Sequence, residues 1–131
     1  GLGNYEEVLS YVDLVLLDVK HTNPEGYREI TGLEMKEVEN FIDVCNKMNK
    51  KIWIRQVIVP GVNDTYEYMD SLVEYLGHIH NVERVDFLPF HRLGREKYIK
   101  LGLSYPYEDK HDMDKEKCNQ LYDYFKERYF K

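Results

Sequence analysis

The stretch Lys51–Asp64, KIWIRQVIVPGVND, decides the fold. It is a short apolar strand with an arginine in its middle, closed by Pro60-Gly61. Trp53, Arg55, Val57 and Val59 fall on one face, and Ile54, Gln56 and Ile58 on the other. Apolar residues on both faces predict a strand covered on both sides, as in the parallel sheets of α/β proteins. An arginine in such a place is unfavourable unless an anion meets it.

Working outward, Asp13–Lys20 (DLVLLDVK) is a second short apolar run bounded by charge, and Val82–Phe90 is a third, stopped by Pro89. Helical periodicity fills the intervals. Over 34–50, Val38, Phe41, Ile42 and Cys45 form one stripe, which Met48 continues. Over 65–78, Met69, Leu72, Val73 and Leu76 share a face, with Asn63 or Asp64 as the expected N-cap. A final helix is predicted from Asp114 to about Tyr129, with Leu121, Tyr124 and Phe125 inward. Residues 5–11 read as the last turns of a helix, and 21–32 as a loop with one helical turn, Pro24 suiting its start. The segment 91–110, with Gly94, Gly102 and Pro106, is long for a connection and reads as an ordered functional loop. Strand followed by helix, three times over, predicts three parallel strands with helices on one side, or an arc of a barrel.

The totals fit one α/β domain. The chain has 131 residues, 43% hydrophobic and 32% charged, with no low-complexity tract. A net charge of -6 without a basic run argues against a nucleic-acid partner. No apolar run reaches the ~18 residues of a membrane span. The two cysteines, Cys45 and Cys118, form no metal-ligand cluster, and Cys45 lies on a core stripe; such usage suits a reducing, cytoplasmic compartment. Three strands leave two apolar sheet edges without neighbours, and the opening helix fragment implies something ahead of it. Gly1 is therefore expected not to begin the native unit. Self-association through the exposed edge is also expected, and a monodisperse monomer in sedimentation at high concentration would count against it.

Ligands of α/β sheets and barrels sit at the carboxyl ends of the strands, and several ionisable residues converge there. Asp18 and Lys20, two apart, point the same way: they suit a zwitterion or a cation with its counter-charge, or they form a plain ion pair. Arg55 either meets a ligand anion or is a structural arginine paired with Asp18 or Asp86. His91 follows the third strand directly and either contacts a planar ligand or is structural. Pro60–Asp64 offers backbone N–H groups ahead of a helix, an anion site or simply a turn with a cap. His21, His78, His80 and His111 have no metal-centre spacing.

Leu-Leu-Asp-Val-Lys (16–20), Trp-Ile-Arg-Gln-Val-Ile-Val-Pro-Gly-Val-Asn-Asp (53–64) and Val-Asp-Phe-Leu-Pro-Phe-His-Arg-Leu-Gly (85–94) together resemble the pyruvate formate-lyase activating enzymes. Lys97-Tyr98, Leu101-Gly102 and Tyr105 extend the resemblance along nearly the whole chain. These are radical S-adenosylmethionine enzymes of the glycyl-radical activating group. The resemblance implies the C-terminal three units of a partial (β/α)6, TIM-like barrel, with 1–131 as a single portion of it. It implies that Asp18, Val19 and Lys20 contact S-adenosylmethionine, Lys20 near its carboxylate. Asp18 and the Leu16 carbonyl would hold a monovalent cation, Arg55 and Val57 would line the pocket, and His91 would lie against the nucleoside. The implied reaction is reductive cleavage of the cofactor, followed by hydrogen-atom abstraction from a glycine of pyruvate formate-lyase or another glycyl-radical enzyme, with a reductant such as flavodoxin.

One departure is large. The family's CxxxCxxC motif, which holds its 4Fe–4S cluster, is absent, and two distant cysteines cannot replace three close thiolates. The chain alone is therefore expected to be inactive. Two other readings compete: a non-enzymatic half-barrel interaction module, and an unrelated phosphate-binding half-barrel using Pro60–Asp64. Four converging polar groups at Asp18, Lys20, Arg55 and His91 favour the activating-enzyme reading, since an interaction module has no need of them.

Overall fold

The computed structural model describes residues 2–91 and 111–130. Along the chain run α1 (Leu2–Leu9), β1 (Leu14–Asp18), α2 (Pro24–Thr31), α3 (Lys36–Lys47), β2 (Lys51–Ile58), α4 (Tyr66–Gly77), β3 (Val82–Pro89) and α5 (Lys115–Tyr129). The three strands form one parallel sheet in the order β1-β2-β3. This is the α/β arrangement of parallel strands alternating with helices read from the sequence. The expected loop at 91–110, including Lys97, Tyr98, Leu101, Gly102 and Tyr105, lies almost wholly outside the described residues.

Local chemistry sets the helix starts. The Asn23 side chain accepts from the Gly26 N–H at 2.8 Å, with Pro24 directly after it, and Gly32 closes α2 at φ 73°. Asp114 caps α5 by accepting from the Glu116 N–H at 3.0 Å. The cap of α4 is Thr65, whose hydroxyl accepts from the Tyr68 N–H at 3.1 Å, and not Asn63 or Asp64 as expected. Those two residues are occupied one turn earlier. Asn63 is buried; its side chain accepts from the Val59 N–H at 2.8 Å and donates to the Val57 carbonyl at 2.9 Å. Asp64 accepts from the Gly61 N–H at 2.9 Å, around a glycine at φ 76°.

One core lies between sheet and helices. Val15, Leu17, Ile52, Ile54, Ile58 and Val85 face it from the strands, and Ile42, Cys45, Met69, Leu72, Leu76, Leu121 and Phe125 from the helices. Helix α4 packs on α5, α5 on β3, and α1 on α3. Both cysteines are buried here as free thiols, pushed up in pKa by that burial.

The opposite face of the sheet departs from the expectation of two-sided cover. Burial alternates strictly along β1 and, through Lys51–Ile58, along β2, leaving Leu16 and Val57 56% and 37% exposed. Among the described residues no helix covers this side. Its apolar residues explain why the sequence reads as two-faced: they are present, but nothing in the described chain packs on them.

Candidate functional site

The open face is laid out by the strand register. Leu16, Trp53 and Arg84 form one row across the three strands, and Asp18, Arg55 and Asp86 form the next toward the carboxyl ends. Val57 and Leu88 follow beyond them. In a parallel sheet, residues in register point to the same side. Of the site residues expected from the sequence, register places Leu16, Asp18, Arg55 and Val57 on this face; Val19, Lys20 and His91 lie outside the paired residues.

Arg55 lies between two aspartates, and its partners are unequal. The Asp18 carboxylate is 3.7 Å from Arg55 Nε, a loose contact between half-exposed side chains. Asp86 instead pairs with Arg84, whose Nε donates to Asp86 Oδ1 at 3.0 Å. The Arg84 guanidinium in turn sits 5.0 Å above the Trp53 ring. The structural pairing of Arg55 with Asp18 therefore exists, and the one with Asp86 does not.

The alternation continues past the end of β1. The Val19 side chain is buried in the core, and its N–H donates to the Arg55 carbonyl at 2.9 Å. Any contact of Val19 with a ligand on the open face must therefore come from its backbone carbonyl. Lys20 is exposed and has no carboxylate partner among the described residues. Since Val19 bonds to β2, the peptide groups of Leu16 and Asp18 point away from β2, toward the free edge. The Leu16 carbonyl thus points to the free edge of β1, whereas the Asp18 carboxylate stands on the open face beside Arg55 of β2.

His91 is exposed at the end of β3. Its position is set by Phe90, whose N–H donates to the Ile58 carbonyl at 3.0 Å and whose carbonyl accepts from the Met113 N–H at 2.9 Å. The Pro60–Asp64 turn is not a free anion site. The N–H groups of Gly61, Val62 and Asn63 are taken by Asp64 and by the Val59 carbonyl. Hollows of ≈ 270 and ≈ 340 Å³ lie between the helices, against Tyr75 and His78, and not at this face.

Sequence reasoning missed the pairing of Arg84 with Asp86 and Trp53. The signal was available, since Arg84 and Asp86 are two apart in a strand and so share a face. It also passed over Gln56, fully buried in the core, which accepts from the Tyr68 hydroxyl at 2.9 Å and donates to the Val57 carbonyl at 2.9 Å.

With this geometry in place, known proteins can be set beside it. A pyruvate formate-lyase-activating enzyme of Clostridium pasteurianum is 46% identical over 127 residues, 97% of this chain and 53% of that protein. One from Staphylococcus aureus is 35% identical over 121 residues, 92% of this chain and 48% of that protein. The chain is a homologue of the pyruvate formate-lyase-activating enzymes. It spans about half the length of the curated relatives it matches. No protein-family model matches it. In fold it is similar to a domain of a pyruvate-formate lyase-activating enzyme from Bacteroides vulgatus (TM-score 0.73, 16% identity, 96% of this chain and 69% of that one). It is also similar to a radical SAM methyltransferase from Sphaerobacter thermophilus (TM-score 0.69, 14% identity, 98% and 36%).

For an activating-enzyme homologue, two cofactors must be tested against the residues present. S-adenosylmethionine fits the open face: Lys20 and the loosely paired Arg55 suit its carboxylate, and Val57 is apolar surface beside them. The iron–sulfur cluster does not fit this chain. Cys45 and Cys118 are both buried on the helical side, and among the described residues no group of three metal-ligating side chains converges.

Proposed function

We propose that this chain is the C-terminal half of a radical S-adenosylmethionine activase, carrying half of the cofactor pocket on the open face of its sheet. The cluster thiolates lie outside the chain, so the chain alone is inactive. Lys20 holds the cofactor carboxylate, and Asp18 with the Leu16 carbonyl holds a monovalent cation beside it. Arg55, Val57 and the Val19 carbonyl line the pocket, and His91 lies against the nucleoside. Bound S-adenosylmethionine supplies the radical chemistry. The share of these residues is to orient the cofactor and keep its charged end in place. The substrate is a glycine of pyruvate formate-lyase or another glycyl-radical enzyme, the reductant is a protein such as flavodoxin, and the setting is cytoplasmic.

The observation that carries this reading is the row of Asp18 and Arg55 in register at the strand ends, with Lys20 just beyond, in a homologue of activating enzymes. The test is the coding DNA upstream of the Gly1 codon. An in-frame CxxxCxxC within the preceding ~120 residues, about another half barrel, supports the reading. A start codon directly before Gly1 overturns it in favour of a binding module. In the complete enzyme Lys20→Ala is expected to weaken S-adenosylmethionine binding about tenfold, the loss of one charge-assisted contact. Unchanged affinity by calorimetry would sink the assignment of Lys20.

A further inference from the structure

Arg55 stands in register with an aspartate on each side, at equal strand spacing. Left to itself, such an arginine would be shared between two carboxylates and would have little attraction left for a ligand anion. The molecule is not arranged that way. Arg84, two residues before Asp86 and on the same face, takes the Asp86 carboxylate at 3.0 Å. Its guanidinium carbon lies over the ring of Trp53, the neighbour in its own row, 5.0 Å from the ring centroid. Among the described residues Arg55 is left with Asp18, at 3.7 Å.

We propose that Trp53, Arg84 and Asp86 form a positioning clamp that withholds Asp86 from Arg55, so that the Arg55 guanidinium stays available to an anionic ligand group at the strand ends. None of the three touches the ligand in this scheme. Trp53 supports Arg84 through its ring, Arg84 engages the Asp86 carboxylate, and Arg55 keeps N–H donors for the ligand. The identity of the anion, the carboxylate of S-adenosylmethionine, rests on the function proposed above. The clamp itself rests on the register and the contacts.

Arg84→Gln tests it, because the amide leaves Asp86 without a cation and Arg55 is the nearest alternative. In the 131-residue chain, the side-chain Nε–H of Arg55 is followed by nitrogen-resolved NMR. It should exchange with water more slowly in Arg84→Gln than in the parent, by about three- to tenfold, as it acquires a second carboxylate. Arg84→Lys, which keeps a cation beside Asp86, should behave as the parent. In the complete enzyme, S-adenosylmethionine affinity should fall by a similar factor in Arg84→Gln and return when Asp86→Asn is added.

An Arg55 signal that does not respond to Arg84→Gln, in a variant whose backbone spectrum remains folded, overturns the clamp. So does an affinity loss that Asp86→Asn fails to relieve. If the Arg55 signal responds as expected but the parent enzyme binds no S-adenosylmethionine, the clamp stands and the cofactor assignment falls.

Discussion

The two faces of the three-stranded sheet are built from similar residues and put to opposite use. On the helical side, Ile52, Ile54 and Ile58 are fully buried, and the one strand polar group there, Gln56, is bonded to Tyr68 and the Val57 carbonyl. On the open side, Leu16, Trp53 and Val57 stand beside Asp18, Arg55, Arg84 and Asp86, all at least partly exposed. The first face carries stability, because burial of apolar area and satisfied polar groups is what holds a domain together. The second carries charge that stability does not require, and that separation lets chemistry vary without loss of the fold.

The contrast predicts unequal responses to substitution. Ile54→Ala should lower unfolding free energy by about 2–5 kcal/mol in denaturant titration, the range for a large-to-small change in a packed core. A loss under about 1 kcal/mol would mean that the helical face is not the stabilising one. Asn63→Ala should follow at about 2 kcal/mol, since it leaves the Val59 N–H without its side-chain partner and the Val57 carbonyl with Gln56 as its side-chain donor.

A smaller effect is expected where the turn meets α5. Burial alone pushes the Asp64 carboxyl up. Lys117 at 2.9 Å and the Gly61 N–H outweigh it, so the group sits below the ordinary carboxylate value. A folded-state value below the unfolded one means that this contribution is fully present above about pH 4. It is lost as pH falls through the lower folded value. Lys117→Met should therefore reduce stability at neutral pH by less than about 1 kcal/mol. It should also shrink the difference in stability between neutral and strongly acidic solution; an unchanged pH profile would remove Lys117 from the account. Smallest of all, Val57→Ala on the open face should change stability by no more than about 0.5 kcal/mol. A larger change would show that the open face packs against something in solution.

Much of this was legible in the sequence. Strands were readable because Val15, Leu17, Ile52, Ile54 and Val85 fall within short apolar runs, and the helices because their stripes recur at helical spacing. The meeting of Asp18 and Arg55 followed from strand ends in a parallel sheet. What sequence could not give was which face is covered. Leu16 and Val57 are as apolar as buried residues, and only packing distinguishes them. Nor could it apportion the aspartates: register places both Asp18 and Asp86 beside Arg55, and the choice of Arg84 for Asp86 is made by side-chain rotamers and by the ring of Trp53. The capping role of Thr65 was obscured by Asn63 and Asp64, better caps by type that are committed to the turn before it.

The sheet order has a kinetic consequence. Both ladders share β2, and each of its pairings waits on a crossover through helices rather than on a tight hairpin. No β-structure can assemble without the central strand, so its inward residues belong to the folding nucleus, and weakening them should slow folding. Among the described strands β1 has a single neighbour, β2, and can dock last. Substitutions there should leave the folding rate nearly unchanged and quicken unfolding, so a rate measurement can tell the order of assembly from the order of the strands.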